Sequence, residues 1–423
     1  MSIDVKPSYG ALDGLRIVDM TVALAGAFST MLLSDMGAEI IKVESIQHYP
    51  APTKGPRNPP RDNSPATLTT RRDYPDADPG DDPWNRLSWF NSQARNKRDV
   101  TMDISRPRGR ELFLKLIATA DGFIENNSAG LLEKLGIGPD VLHEVNPRLI
   151  IVRMPPLGLS GPDHKATGFG WHFEDLAGLM RVQGYADGPE VGSILMDATS
   201  GPAGANAFLM ALLQRRRTGK GVVCEVAQVE NLLCHIGDMT IEAAMNDRMP
   251  RRWGNRSPDF VPQGCYRCAG DDQWVVLSVR NDHEWEALRS LIGLAVSFPD
   301  RRAAHDEIDA AITEWTSLRT PVEATELLQA VGIPSGPVLS EGEAASDPQL
   351  HDREFFQFLD HPSCGAHFHP GANFKMDVTP TQIWRAAPTL GQDNEYVYKT
   401  VLGVSDDEYA DLVAEGHIGT EYL

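Results

Sequence analysis

LRIVDMTVALAGAFSTMLLSDMGAEIIKV, residues 15–43, decides the fold class. Leu15 to Met20 reads as a strand, Gly26 to Met36 as a helix with small residues at its start, and Ala38 to Val43 as a second strand. A strand, a crossover helix and another strand in so short a span form a βαβ unit, which implies a parallel sheet and an α/β chain. The turn after the first strand, Thr21 to Gly26, lacks the GxGxxG dinucleotide fingerprint, which argues against a nicotinamide or flavin oxidoreductase.

Outward from this unit, the next informative stretch is LIIVRMPPLGLSGPDHKATGFGWHFEDLAGLM, residues 149–180. Leu149 to Val152 is a continuous apolar run of the kind that fills a strand buried on both faces. A Gly/Pro-rich loop follows. Phe169, Phe173, Leu176 and Met180 then recur about once per helical turn, which predicts a helix over 169–180 with one face packed. Its start meets the carboxyl end of the strand, where open α/β sheets hold ligands. The residues there able to do chemistry are His172, Glu174 and Asp175.

The rest of the chain extends the pattern. Residues 48–86 are rich in Pro, Asp and Arg without periodicity and read as a long surface loop, either a lid that closes over a ligand or a poorly ordered excursion. Helix 109–120, strand 122–125 and helix 131–135 follow, and further on come helix 203–217, strand 222–227 and helix 230–245. After that the character shifts to an alternating strand, 274–279, and helices at 284–291 and 307–318, a small α+β domain. The expected organisation is a Rossmann-like parallel-sheet large domain over 1–220, with 48–86 as an insertion. A linker and the smaller α+β domain would occupy 221–330, and a segment returning to the large domain 331–423.

Composition bounds the function. A chain of 423 residues, 41% hydrophobic and 23% charged, is an ordinary globular protein with room for two domains. Its net charge of -20 argues against nucleic acid or an anionic membrane surface as partner. No run approaches the roughly 20 apolar residues of a membrane span, and the opening MSIDVKPSYG has no signal-peptide core. A cytoplasmic protein is expected. The five cysteines, Cys224, Cys234, Cys265, Cys268 and Cys364, suit a reducing compartment. Cys265 and Cys268 have CxxC spacing and Cys364 lies among His361, His367 and His369, but no second tight ligand pair completes a zinc site, so no metal is expected.

Several stretches together resemble the class III CoA-transferase family. Asp13 to Met20 and Leu33 to Glu44 match its opening, and Asn96-Lys97-Arg98 matches a motif before a short strand. Glu125-Asn126-Asn127, the loop Gly158-Leu-Ser-Gly161-Pro and the helix end Ala177-Gly-Leu-Met180 also match, as do Gly332 to Val338 and Pro388 to Asn394. The resemblance implies an interlocked homodimer that binds CoA or acyl-CoA as substrate, with no permanently bound cofactor and a carboxylic acid as acceptor. It implies CoA contacts at Val22, Ala23, Lys42, Arg95, Asn96, Lys97, Arg98, Asn126 and Asn127, and at Lys134 in place of an arginine. Lysine supplies the charge without the two-pronged fork. Asp197 matches an aspartate found in family members, including the racemases.

The family's nucleophile is an aspartate in a Gly-Tyr-Asp, which reads Gly168-Phe169-Gly170 in this chain. Transfer through a mixed anhydride requires Asp or Glu. The nearest substitute is Glu174, one turn along the same helix face at roughly 6 Å, with Asp175 in reserve. Gly158 and Gly161 would let the backbone amides of 157–161 approach an oxyanion. The alternatives are another acyl-CoA reaction on the same site (hydrolase, lyase, isomerase or racemase) or a catalytically silent CoA-binding protein. A racemase is disfavoured, because its histidine falls on Phe169 and its glutamate near Arg280, leaving only Asp197 and no base on the second face.

Overall fold

In the computed structural model, which describes residues 10–62, 64, 71–248, 250–294 and 300–423, six strands form one sheet. They are β1 (Arg16–Met20), β2 (Glu39–Glu44), β3 (Lys97–Thr101), β4 (Gly122–Glu125), β5 (Ile150–Arg153) and β6 (Val222–Glu225). Their order is β3-β2-β1-β4-β5-β6, and every pairing is parallel.

Consecutive strand residues point to opposite faces, and in this sheet both sets are apolar and buried. Val18, Ile41, Phe123 and Ile151 pack with Phe113 and Leu116 of the helix Pro107–Ala118 and with Val397 and Tyr398 near the chain end. Ile17, Ile40, Ile124 and Ile150 pack on the other face with Leu33 of the helix Ala25–Asp35 and Phe208 and Leu212 of the helix Leu195–Thr218. Gly122 is required there, since a Cβ at that position would overlap the Phe208 ring. The strand order reverses between β1 and β4, which opens a crevice beyond their carboxyl ends.

The chain divides into two compact units. The first comprises residues up to Ala177, Ser193–Gly237 and Arg353–Leu423, and the second Gly178–Gly192 and Asp238–Asp352. The sequence had placed its divisions at 220/221 and 330/331. The second unit holds an antiparallel sheet of β7 (Gln263–Arg267), β8 (Trp274–Ser278) and β9 (Ser335–Pro337). Val275, Trp285, Leu288, Ile308 and Ile312 form its core. In the first unit the returning segment is bonded to the sheet: Asp393 accepts from Asp99 N and Asn394 from Thr101 N, at 3.0 and 2.8 Å.

Three departures from the sequence reading affect the site. The helix expected over 169–180 is two, Gly170–Leu176 and Leu179–Val182, because Gly178 adopts the left-handed conformation (φ 83°) that ends a helix. The helix expected from Ala203 begins at Leu195 and runs through Pro202, which brings Asp197 into its first turn. The 48–86 excursion carries short helices at Ala51–Lys54 and Pro83–Arg86 and buries Thr53, Lys54 and Tyr74, while its residues 63 and 65–70 lie outside the described residues. Among the described residues no helix is long and apolar enough to cross a membrane, and no group of three or more His, Cys, Asp or Glu is gathered as metal ligands.

Candidate active site

A cavity of about 520 Å³ lies beyond the carboxyl ends of β1, β4 and β5, lined by Val22, Ala23, Asn126 and Pro156 among others. Its floor is fixed by hydrogen bonds across the switch point. Val22 N donates to Asn126 Oδ1 at 2.7 Å and Asn126 Nδ2 donates back to Val22 O at 2.9 Å. Ala23 is held at φ 52°, an uncommon conformation for a residue with a Cβ, and its N–H donates to Thr53 Oγ1 at 2.8 Å. The first turn of the 48–86 excursion is thereby tied to the turn after β1.

Asp197 is one of two carboxylates that line this cavity, the other being Asp73. Three helices start around Asp197. Asp197 is in the first turn of Leu195–Thr218, and its carboxylate accepts from Ala25 N, the first residue of Ala25–Asp35. Gly170 opens Gly170–Leu176, and a Cβ there would overlap Asp197 Oδ2. The space that a side chain at 170 would enter is therefore taken by the carboxylate of Asp197. Burial raises the Asp197 carboxyl; the Ala25 N–H opposes this and the negative charge of Glu174 adds to it, bringing the pKa from 3.8 to about 6.

Glu174, the expected nucleophile, has its carboxylate engaged within the protein. It is 0% exposed and absent from the cavity lining. One oxygen accepts from Ser193 N and Ser193 Oγ at 2.9 and 3.0 Å, the other from Met196 N at 2.9 Å. Met196 N is one of the orphan donors in the first turn of the helix Leu195–Thr218 and Ser193 stands just before that helix, so Glu174 caps the helix that presents Asp197. Truncating Glu174 to Ala would leave the buried Met196 N and the half-buried Ser193 donors unpaired. We expect about 1–3 kcal/mol of lost stability per buried group left unsatisfied, read as a lower urea midpoint; an unchanged midpoint would contradict the capping role. Asp175 and His172 are exposed and line neither cavity of the site.

Gly158 also departs from expectation. It does not line the cavity, and the next amide, Leu159 N, already donates to Glu225 Oε1 at 2.8 Å. None of residues 157–161 reaches the lining, to which the loop contributes Pro156, Gly168 and Phe169.

A second cavity of about 500 Å³ shares Val22 and Thr53 with the first and is lined by Lys42, Asn127, Leu131 and Leu135. Lys42 Nζ donates to Thr21 O at 2.9 Å, and Asn127 Nδ2 to Met20 O at 2.8 Å. Lys134 is exposed and outside the lining. Residues Arg95 to Arg98 line neither of these cavities, because their polar groups are used inside the protein. Arg95 pairs with Asp35 at 2.6 Å and donates to Pro370 O, and Asn96 Nδ2 donates to Asp35 and to Gln382 O. Lys97 pairs with Asp19 at 3.1 Å with no exposure of either side chain, and Arg98 pairs with Glu39 and Asp393. The side chains of Arg95 to Arg98 are thus engaged by internal partners, and Asn96 and Arg98 also line a separate cavity of about 440 Å³ at the amino end of β3.

Comparison with known proteins gives a consistent result. The sequence model of CoA-transferase family III matches residues 12–394. The chain is 30% identical over 414 residues to the succinyl-CoA–D-citramalate CoA-transferase of Chloroflexus aurantiacus, covering 96% of this chain and 97% of that one. It is 31% identical to the succinyl-CoA:mesaconate CoA-transferase of Haloarcula marismortui, covering 90% and 92%. Among solved structures, a CAIB/BAIF family protein from Brucella suis shares the fold with a TM-score of 0.80 at 24% identity, over 93% of this chain and 100% of that one.

Proposed function

The chain belongs to CoA-transferase family III, and from that premise we propose that it moves CoA from an acyl-CoA to a carboxylic acid, with Asp197 as the carboxylate that carries each group in turn. The observation that supports this reading is the Asp197 carboxylate standing in the cavity where a side chain at position 170 would begin. The missing nucleophile of the helix Gly170–Leu176 is replaced from a neighbouring helix, and Glu174 serves as its support.

In this reading an Asp197 oxygen attacks the thioester carbonyl, the C–S bond breaks, and CoA leaves as thiolate with an acyl-aspartyl anhydride behind it. The thiolate attacks the aspartyl carbonyl, releasing the donor acid and leaving an aspartyl-CoA thioester. The acceptor carboxylate attacks that thioester, expelling the thiolate again, and the thiolate takes the new acyl group, regenerating Asp197. No proton or oxidant is consumed. The helix Ala25–Asp35 directs its amino end at Asp197 through Ala25 N–H, the polarity that stabilises negative charge developing at this point.

Val22, Ala23 and Asn126 would line the thioester end of CoA, and Lys42 and Asn127 in the second cavity the nucleotide end, with Lys134 as an outer phosphate contact. The exposed Phe358, Phe368, Phe374 and Val378 of the returning segment support an assembly of two chains. Product analysis tests the reaction: new acyl-CoA should form in step with donor consumed. Release of free CoA alone would make the protein a hydrolase, and CoA binding without consumption a silent binder.

The raised pKa predicts the acid limb of the pH profile. Only ionised Asp197 attacks, so kcat/KM should climb with pH and level off above about 6. For stability the sign is opposite. The favourable contribution of this carboxyl is complete below its unfolded value of 3.8 and is lost as pH rises through about 6. An activity limb near 4 would contradict the buried placement of the group.

A further inference from the structure

The geometry points to a bulky, apolar monocarboxylic acyl group, of which an aryl-substituted acid is the clearest example, as the substrate class; this deepens the reading above and rests on it. Tyr74, Leu87, Trp89, Phe169, Trp171 and Phe173 wall the 520 Å³ cavity. Three of these offer uncovered ring surface, with Trp171 52%, Phe169 48% and Trp89 46% exposed. Surface of this kind attracts an apolar or aromatic ligand, and the volume is that of a site for a sizeable small molecule.

Charge sharpens the choice. Among the described residues, the only charged side chains lining the cavity are Asp73 and Asp197, both acidic, and no Lys, Arg or His lines it. A dicarboxylic acyl group would bring a second carboxylate into apolar surroundings beside two acids with no cation to pair it. The names of the curated relatives specify succinyl-CoA as donor for those proteins, and the lining of this chain fits a different acyl group.

Calorimetric titration with 3-phenylpropionyl-CoA and succinyl-CoA tests this, since the CoA portion is common to both. The aryl thioester should bind at least about tenfold more tightly, the scale expected for burying one ring. Trp171→Ala, a change at an exposed position, should cut that preference to less than about threefold. Equal binding, or tighter binding of succinyl-CoA, would overturn the substrate class. Turnover of the two thioesters in the same samples reads the chemistry separately. Aryl preference without transfer would sink the transferase reading alone, and transfer with succinyl preference would sink the substrate class alone.

Discussion

Replacing Asp197 by Asn is expected to lower the rate of CoA transfer by at least about 10³-fold, while acyl-CoA binding changes by less than about threefold. Asparagine has the same shape as aspartate and can still accept the Ala25 N–H, so the cavity and the starts of the surrounding helices are kept. What it cannot do is expel a thiolate and persist as an anhydride. The substitution also removes a charge that burial disfavours, so the variant should be at least as stable as the parent above pH 6. Rate and stability moving in opposite directions is the signature of a functional rather than structural carboxylate. A variant that keeps a tenth or more of the parental rate would show that another group carries the acyl transfer.

The largest structural effect is expected from Lys97→Met. Lys97 Nζ sits with no exposure among Asp19 Oδ2, Ala27 O and Thr30 Oγ1, at 3.1, 2.9 and 2.8 Å. Burial works against the Asp19 charge, but Lys97, then Lys42 and the hydroxyls of Thr21 and Thr30, hold its carboxyl down to about 2. Methionine fills much the same volume and removes only the counter-charge, leaving Asp19 buried and underpaired. The expected loss is about 3–5 kcal/mol, read as a drop in the urea midpoint with an unchanged slope. The damage should reach the site as well, because Asp19 accepts from Thr21 N and Thr21 Oγ1 at 2.7 and 2.6 Å and so fixes the turn that presents Val22 and Ala23. A midpoint equal to that of the parent would refute the structural role of the buried Lys97–Asp19 pair.

The same residues show what local sequence can and cannot reveal. The parallel sheet was legible because Ile17-Val18, Ile40-Ile41 and Ile150-Ile151 are adjacent apolar pairs, which only a strand buried on both faces requires. The loss of a side chain at Gly170 was legible too. The use of Arg95 to Arg98 was not, because their acidic partners Asp35, Asp19, Glu39 and Asp393 lie between 59 and 295 residues away along the chain.

Glu174 and Asp197 were both visible as acids, and the spacing of Glu174 from Gly170 favoured it. What sequence does not encode locally is which carboxylate opens to the cavity. That is set by Ser193 and Met196, whose amides claim Glu174, and by the early start of the helix Leu195–Thr218, which a polar lead-in and Pro202 conceal. Asp197 drew notice only as a matched aspartate because nothing in the chain announces that it and Gly170 share one space.

The most direct test of relocated carboxylate chemistry is to trap the covalent intermediate. The protein is incubated with 3-phenylpropionyl-CoA, quenched with hydroxylamine, digested and mapped by mass spectrometry. A hydroxamate on the peptide bearing Asp197, absent from Asp197→Asn, is the predicted result. A hydroxamate on Glu174 or Asp175, or turnover with no modified carboxylate at all, would contradict the account.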